Sequence, residues 1–575
     1  MIDLRDVRDV NFGGTADTLA LLLTDAAAFL TLPSLYGTGL HGLLLAGVAA
    51  LGGGLWFGWR VGSKLRLTHG GEFDIHSHDA PPAEAGGMHV GFIAHTMQEL
   101  IVPPSSWLRH AMIVGQSGVG KTVVGSWLMF QQIAGGGGLL WIDGKLDPSN
   151  IELLHRMCVW AGRPNDLLIV NPGTPGTSNT YNPLLDGDPD EIASRLGALL
   201  PEASNNAAAD FYRSSAINAI GALVQATRAA GYAINFADLR ILLTRPGALE
   251  WLLSDMKKKK VDVADTEQFA LFLDQLRQRD RRTGAEVLDA DGIRKMFGGL
   301  GARLAQFGGG QFGEVMNAYT PEVRIKDVVR AGKILYFALP TMGKGEAAIA
   351  LARMAVSDFR SAIAAIQALP EGERPEKPFL GFFDEAGSYV TQAWSRMFEQ
   401  ARSARLVMVP AFQTKANLET LGPELRAMVA GNTVTKIIFS PGEPDTADWC
   451  ADMIGKELRE QHTRSESSSA SSKGVTVLDR GRGVANAQNA GSSASHSVSL
   501  REDYKVSAAD LMKLDRGECV VTLEGHQVFH VKVPLVSFES DFIEQTGPFH
   551  VRHPATTVPD GLEPLRITQR PGAMR

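Results

Sequence analysis

At 575 residues the chain is too long for one compact core, and its 44% hydrophobic and 21% charged residues exclude wholesale disorder. A formal net charge of −7 excludes a global electrostatic attraction to nucleic acid, so any such contact must come from local basic patches. The cysteines, Cys158, Cys450 and Cys519, are widely spaced with no Cys-x-x-Cys pair, which points to reduced thiols in a cytoplasmic compartment.

In chain order, the first expected element is a membrane anchor over residues 1–69, of one or two helices. Residues 39–59, GLHGLLLAGVAALGGGLWFGW, are uncharged and long enough to cross a bilayer, with Tyr36 near one end and Trp56 and Trp59 at the other. Arg60, Lys64 and Arg66 follow, which places the rest of the chain on the cytoplasmic side. An earlier apolar run, 18–32, is interrupted by Asp25 and closed by Pro33, so it reads as the first helix of a hairpin or as a surface helix. Residues 70–87, rich in Gly, Pro, His and Asp, read as a linker.

The apolar strand Ala111–Val114 then runs into Gly115-Gln116-Ser117-Gly118-Val119-Gly120-Lys121-Thr122, a Walker A phosphate loop that opens a helix. Its glycines let backbone N–H groups curl round an anion at a helix N-terminus, Lys121 reaches the β- and γ-phosphates of ATP, and the Thr122 hydroxyl takes Mg²⁺. A second strand, Leu139–Ile142, closes at Asp143 in WIDGKLD and completes a βαβ unit with a parallel sheet. From about residue 186 to 322 the apolar spacing is helical, which predicts an all-α domain inserted into an α/β core whose parts span 70–185 and 323–544.

The β pattern resumes at Lys333–Leu339. It returns at Pro378–Phe383, whose strand ends in Asp384-Glu385, the Walker B arrangement: Asp384 for Mg²⁺ and Glu385 as the base that polarises the attacking water. Arg402 and Arg405 precede the strand Leu406–Phe412, which closes at Gln413, a polar residue positioned to sense the γ-phosphate; Pro410 is awkward inside a central strand. Val434–Phe439 reads as a further strand. Residues 460–501, rich in Ser, Gly, Ala and Asn, read as a flexible surface loop, 518–533 as a hairpin, and 545–575 as a mobile tail. Basic clusters at Lys257–Lys260 and at Arg277, Arg279, Arg281 and Arg282 are either solvated helix ends or contacts for DNA.

The order of these parts resembles the type IV secretion coupling proteins of the conjugative TraD/TraG group: an anchor, GQSGVGKT, WIDGKLD, YNPLLDG before an α-insert and GKILYFALP after it, FFDEAG, the Gln413 strand and the closing YKVSAADLMKLDRGECVVTLEGHQVFHVKV. The resemblance implies a RecA-like P-loop NTPase core with an inserted all-α domain and an N-terminal transmembrane anchor. It further implies a homohexamer at the bacterial inner membrane with its ATPase domain in the cytoplasm. Such a ring uses ATP and Mg²⁺ to pass DNA or a relaxase–DNA complex to type IV secretion channel components. By motif position Lys121, Thr122, Asp384, Glu385 and Gln413 carry over, with Arg402 as a finger into a neighbour's site. WIDGKLD departs from the group's pattern in lacking the Gly and Glu that usually follow its Lys. The alternatives are a DNA translocase of the FtsK or HerA kind, or a docking platform that binds nucleotide with little hydrolysis.

Overall fold

Short, mostly apolar runs fit strands covered on both sides, and eleven strands join into one sheet. They are β1 Met88–Ile93, β2 Glu99–Val102, β3 Ala111–Val114, β4 Gly138–Asp143, β5 Leu167–Val170, β6 Ile334–Ala338, β7 Phe379–Phe383, β8 Leu406–Phe412, β9 Thr435–Ile438, β10 Glu518–Leu523 and β11 Gln527–Lys532. The order across the sheet is β2-β1-β11-β10-β9-β3-β8-β7-β4-β6-β5. From β9 to β5 all neighbours are parallel, whereas β10, β11, β1 and β2 extend the sheet antiparallel. The structure, a computed structural model, describes residues 77–574 apart from 79, 201–206, 281–283, 392–393, 420–421, 471–489 and 559–560. The expected anchor over 1–69 lies outside the described residues, and among those described no helix is long and apolar enough to cross a membrane.

Alternate residues of each central strand feed opposite cores. Ile113, Trp141 and Phe382 pack with Val124, Leu128 and Ile133 of α1 (Lys121–Ala134) and with Leu154 and Cys158 of α2 (Pro148–Trp160). Met112, Ile142 and Phe383 pack on the other face with Leu351, Ala355 and Phe359 of α3 (Thr341–Gln367), a core continuous with the inserted helices. α1 lies so close to β7 that a Cβ on Gly125 would sit 2.4 Å from the Phe382 ring. Pro410 is tolerated inside β8 because the register with β7 ends at that residue and the register with β3 begins at Ala411.

Between β5 and β6 the chain forms helices Pro189–Gly197, Ala207–Ala229, Phe236–Thr244, Pro246–Lys258, Val263–Asp274, Ala290–Ala305 and Gly310–Met316. It leaves and re-enters the sheet side by side: Tyr181 bridges Val323 in parallel, and Arg324 pairs with Asp186. Beneath this joint Arg195, fully buried, pairs with Asp358 of α3 at 2.8 Å, and Tyr181 Oη donates to the same carboxylate at 2.9 Å. The basic clusters of the insert are partly consumed by structure. Lys259 pairs with Glu563 at 2.9 Å and covers the Tyr232 ring, and Arg277 pairs with Asp274 at 3.3 Å, while Arg281 and Arg282 lie outside the described residues.

Two expectations are corrected. Residues 456–470 and 490–504, which overlap the expected flexible loop over 460–501, form two antiparallel strands paired from Lys456↔Tyr504 to Ala470↔Ala490. A Ser-rich stretch lacks apolar alternation, but it can satisfy its backbone in a two-stranded ladder. The C-terminal segment is not a mobile tail either. It passes α2 (Phe549 N to Glu152), crosses the joint (Asn179 Nδ2 to Arg552 O, His553 Nδ1 to Glu322, Thr556 Oγ1 to Thr320 O) and pairs Glu563–Pro564 with Tyr232–Ala233 of the insert. Leu565, Ile567 and Ala573 are fully buried there.

Candidate nucleotide site

Because the strands from β9 to β5 run parallel, their C-terminal ends share one edge, where open α/β sheets place ligands. β8 lies between β3 and β7, so the loop after β3, the acids after β7 and Gln413 after β8 converge, with Asp143 and Lys145 arriving from β4 next to β7. The phosphate loop needs its glycines: Gly118 and Gly120 have φ of 82° and 123°, and a Cβ on Gly115 would lie 2.6 Å from Phe439. Gln116 N donates to Ser440 O and Gly517 N to Val119 O, which brace the loop from β9 and β10.

Lys121 Nζ donates to the carbonyls of Gly115 at 2.7 Å and Gln116 at 2.8 Å. Burial lowers its pKa, against the raising effect of the Asp384 and Glu385 charges. Thr122 Oγ1 donates to Asp384 Oδ2 at 3.3 Å, so a hydroxyl and a buried carboxylate face each other, hard oxygen donors of the kind Mg²⁺ takes. Burial raises the pKa of Asp384, and the neighbouring Glu385 charge adds to the effect. A divalent cation would reverse both pressures. These residues therefore fit a Mg-nucleotide.

Glu385 sits at φ 53°, a left-handed backbone uncommon for a non-glycine residue. Its Oε1 lies 2.9 Å from Lys145 Nζ, and its Oε2 accepts from Gln413 Nε2 at 2.6 Å. Asp143, fully buried, accepts from Tyr336 Oη, Asn150 Nδ2 and Lys145 N, each at 2.8 Å. Burial first, and then the Asp384 charge, push its carboxyl up to about 6.

The structure thus brings Lys121, Thr122, Asp384, Glu385 and Gln413 together. Arg402 it does not. That residue is exposed in the turn Ala401–Ala404 before β8, whereas Gln413 follows β8. A strand of 7 residues spans about 23 Å, so Arg402 stands at the opposite end of β8 from Gln413. Lys145 was missed from the sequence, although the Asp-x-Lys that ends β4 was visible in WIDGKLD.

Residues 378–516, from β7 into the segment before β10, match the family described as the TraM recognition site of TraD and TraG. The chain is also 24% identical over 393 residues to the type 4 coupling protein DotL of Legionella pneumophila. The chain is similar to the type IV coupling proteins. The match covers 62% of this chain and spans half the length of DotL. Among solved structures, the bacterial conjugative coupling protein TrwBdeltaN70 superposes with a TM-score of 0.52 at 14% identity, covering 80% of this chain and 90% of that one. TrwB in complex with ADP and Mg²⁺ gives 0.52 at 14%, covering 80% and 91%, and TrwB with a non-hydrolysable ATP analogue gives 0.52 at 15%, covering 83% and 93%. At these identities the likeness establishes the RecA-type α/β fold.

Proposed function

We propose that this chain is a membrane-anchored, hexameric ATPase that couples ATP hydrolysis to delivery of DNA or a nucleoprotein into a type IV secretion channel. The observation that carries the reading is the convergence of Lys121, Thr122, Asp384, Glu385 and Gln413 on one sheet edge, with the acids after β7 next to the strand that ends in Gln413. In this reading the phosphate loop binds ATP, and Thr122 and Asp384 hold Mg²⁺. Glu385 takes the proton of the attacking water, and Gln413 orients Glu385 toward the γ-phosphate. Arg402 from a neighbouring copy supplies charge to the transition state, which makes hydrolysis depend on assembly. Residues 39–59 anchor the ring, and a relaxase–DNA complex is the cargo.

The test is ATP turnover by the purified 575-residue chain in detergent, with and without single- or double-stranded DNA. Glu385→Gln should lower turnover by about 10²- to 10⁴-fold. Arg402→Ala should abolish its dependence on protein concentration. Wild-type turnover no faster than that of Glu385→Gln under every condition would refute the motor reading.

A further inference from the structure

Each oxygen of Glu385 already has a partner, and although each keeps a second lone pair, the Lys145 ammonium on Oε1 lowers its basicity and so opposes its taking a proton from water. Gln413 is the fixed one: it ends a fully buried strand, and its backbone N–H donates to Asn417 Oδ1 at 3.3 Å. Lys145 is different. Its side chain is 54% exposed, at the mouth of a cleft of about 730 Å³ between Gly144, Thr341, Lys344 and Glu385. The backbone beneath it is clamped. Lys145 N donates to Asp143 Oδ1, Thr341 Oγ1 donates to Gly144 O, and a Cβ on Gly144 would lie 2.8 Å from the Cβ of Glu385. Only the flexible four-carbon stem is free to swing.

Lys121 feels the like charge of Lys145, so a γ-phosphate held by Lys121 falls within the Coulomb reach of Lys145 as well. We propose that Lys145 exchanges partners. It holds the Glu385 carboxylate until a γ-phosphate arrives, then moves to that anion and frees Glu385 Oε1 for the water proton. Lys145 is on this account a γ-phosphate sensor and a positioning residue for the base. The inference rests on the nucleotide reading of this site.

The experiment measures Kd for ADP and for a non-hydrolysable ATP analogue in the wild-type chain, Lys145→Ala, Lys145→Arg, Glu385→Gln and the Lys145→Ala/Glu385→Gln pair. Glu385→Gln removes the competitor for Lys145. It should tighten analogue binding by about fivefold or more, the low end of ordinary coupling, while leaving ADP unchanged. Lys145→Ala should weaken the analogue alone and erase that gain in the double variant, and Lys145→Arg should keep it. An analogue-to-ADP ratio unmoved by Lys145→Ala, or a Glu385→Gln gain that survives in the double variant, overturns the exchange. Because these are binding measurements, a chain that shows the expected pattern yet hydrolyses no ATP would sink the motor reading and leave the exchange standing. A chain that binds neither nucleotide overturns both.

Discussion

Truncating the buried anchors of the C-terminal segment should release it. Leu565 and Ile567 are both fully buried against the inserted helices. Their amides are tied down, Leu565 N to Ala233 O and Ile567 N to Asp238 Oδ1, each at 2.9 Å. Cutting such a side chain back to alanine costs about 2–5 kcal/mol where the site cannot collapse. A segment lying on the surface can instead peel away, so the cost of either change is capped by the free energy that holds the segment down. At about 3 kcal/mol, Ile567→Ala raises the open population by roughly 10²-fold, since each 1.4 kcal/mol is a factor of ten. Leu565→Ala added to it should then do little more, because an open segment has nothing left to lose. The assay is amide hydrogen exchange of residues 563–567 in the intact chain. Exchange in the wild type at the rate of a free peptide, or a change below about threefold on Ile567→Ala, would refute the reasoning.

Other expectations follow from single contacts. Gly125→Ala would drive a methyl into Phe382 and should destabilise the chain by about 1–3 kcal/mol in urea unfolding, by pushing α1 off β7. Asp358→Ala would strand the buried Arg195 guanidinium and cost about 3–5 kcal/mol, whereas replacing both by apolar residues of similar volume should recover most of it; equal losses would refute the pairing. Glu518 is held down to about 2 by His530 and then Lys532, from an ordinary 4.5. The stabilisation it brings is complete above pH about 4.5 and is lost as pH falls toward 2, so Glu518→Gln should flatten the acid limb of a stability profile over that window.

The phosphate loop and the Asp384-Glu385 pair were legible because each is a short run whose chemistry depends on adjacent residues at the end of an apolar strand. Gln413 was legible for the same reason. What brings them together, β8 lying between β3 and β7, is a non-local pairing with no local signature. Lys145 was hidden because its partner Glu385 is far away in sequence, and one lysine after a strand looks like ordinary surface. The C-terminal segment misled by composition. Leu565, Ile567 and Ala573 are too few and too scattered among Pro, Gly and Arg to mark an element, since an irregular segment buries whichever side chains its path turns inward. The Ser-rich strands at 456–470 and 490–504 misled in the same way, as a backbone ladder needs no apolar alternation to pair.

The inserted helices hang from the sheet by two stretches of chain lying side by side, bridged at Tyr181 and Val323 and pinned by Asp186 and Arg324. A body slung from one stretch of chain swivels; one held by two bridged stretches resists twisting about either. The C-terminal strap adds a third hold. A rotation of the insert would therefore be passed into β5 and β6 and, through Arg195 and Asp358, into α3, which makes the insert a lever arm rather than a pendant.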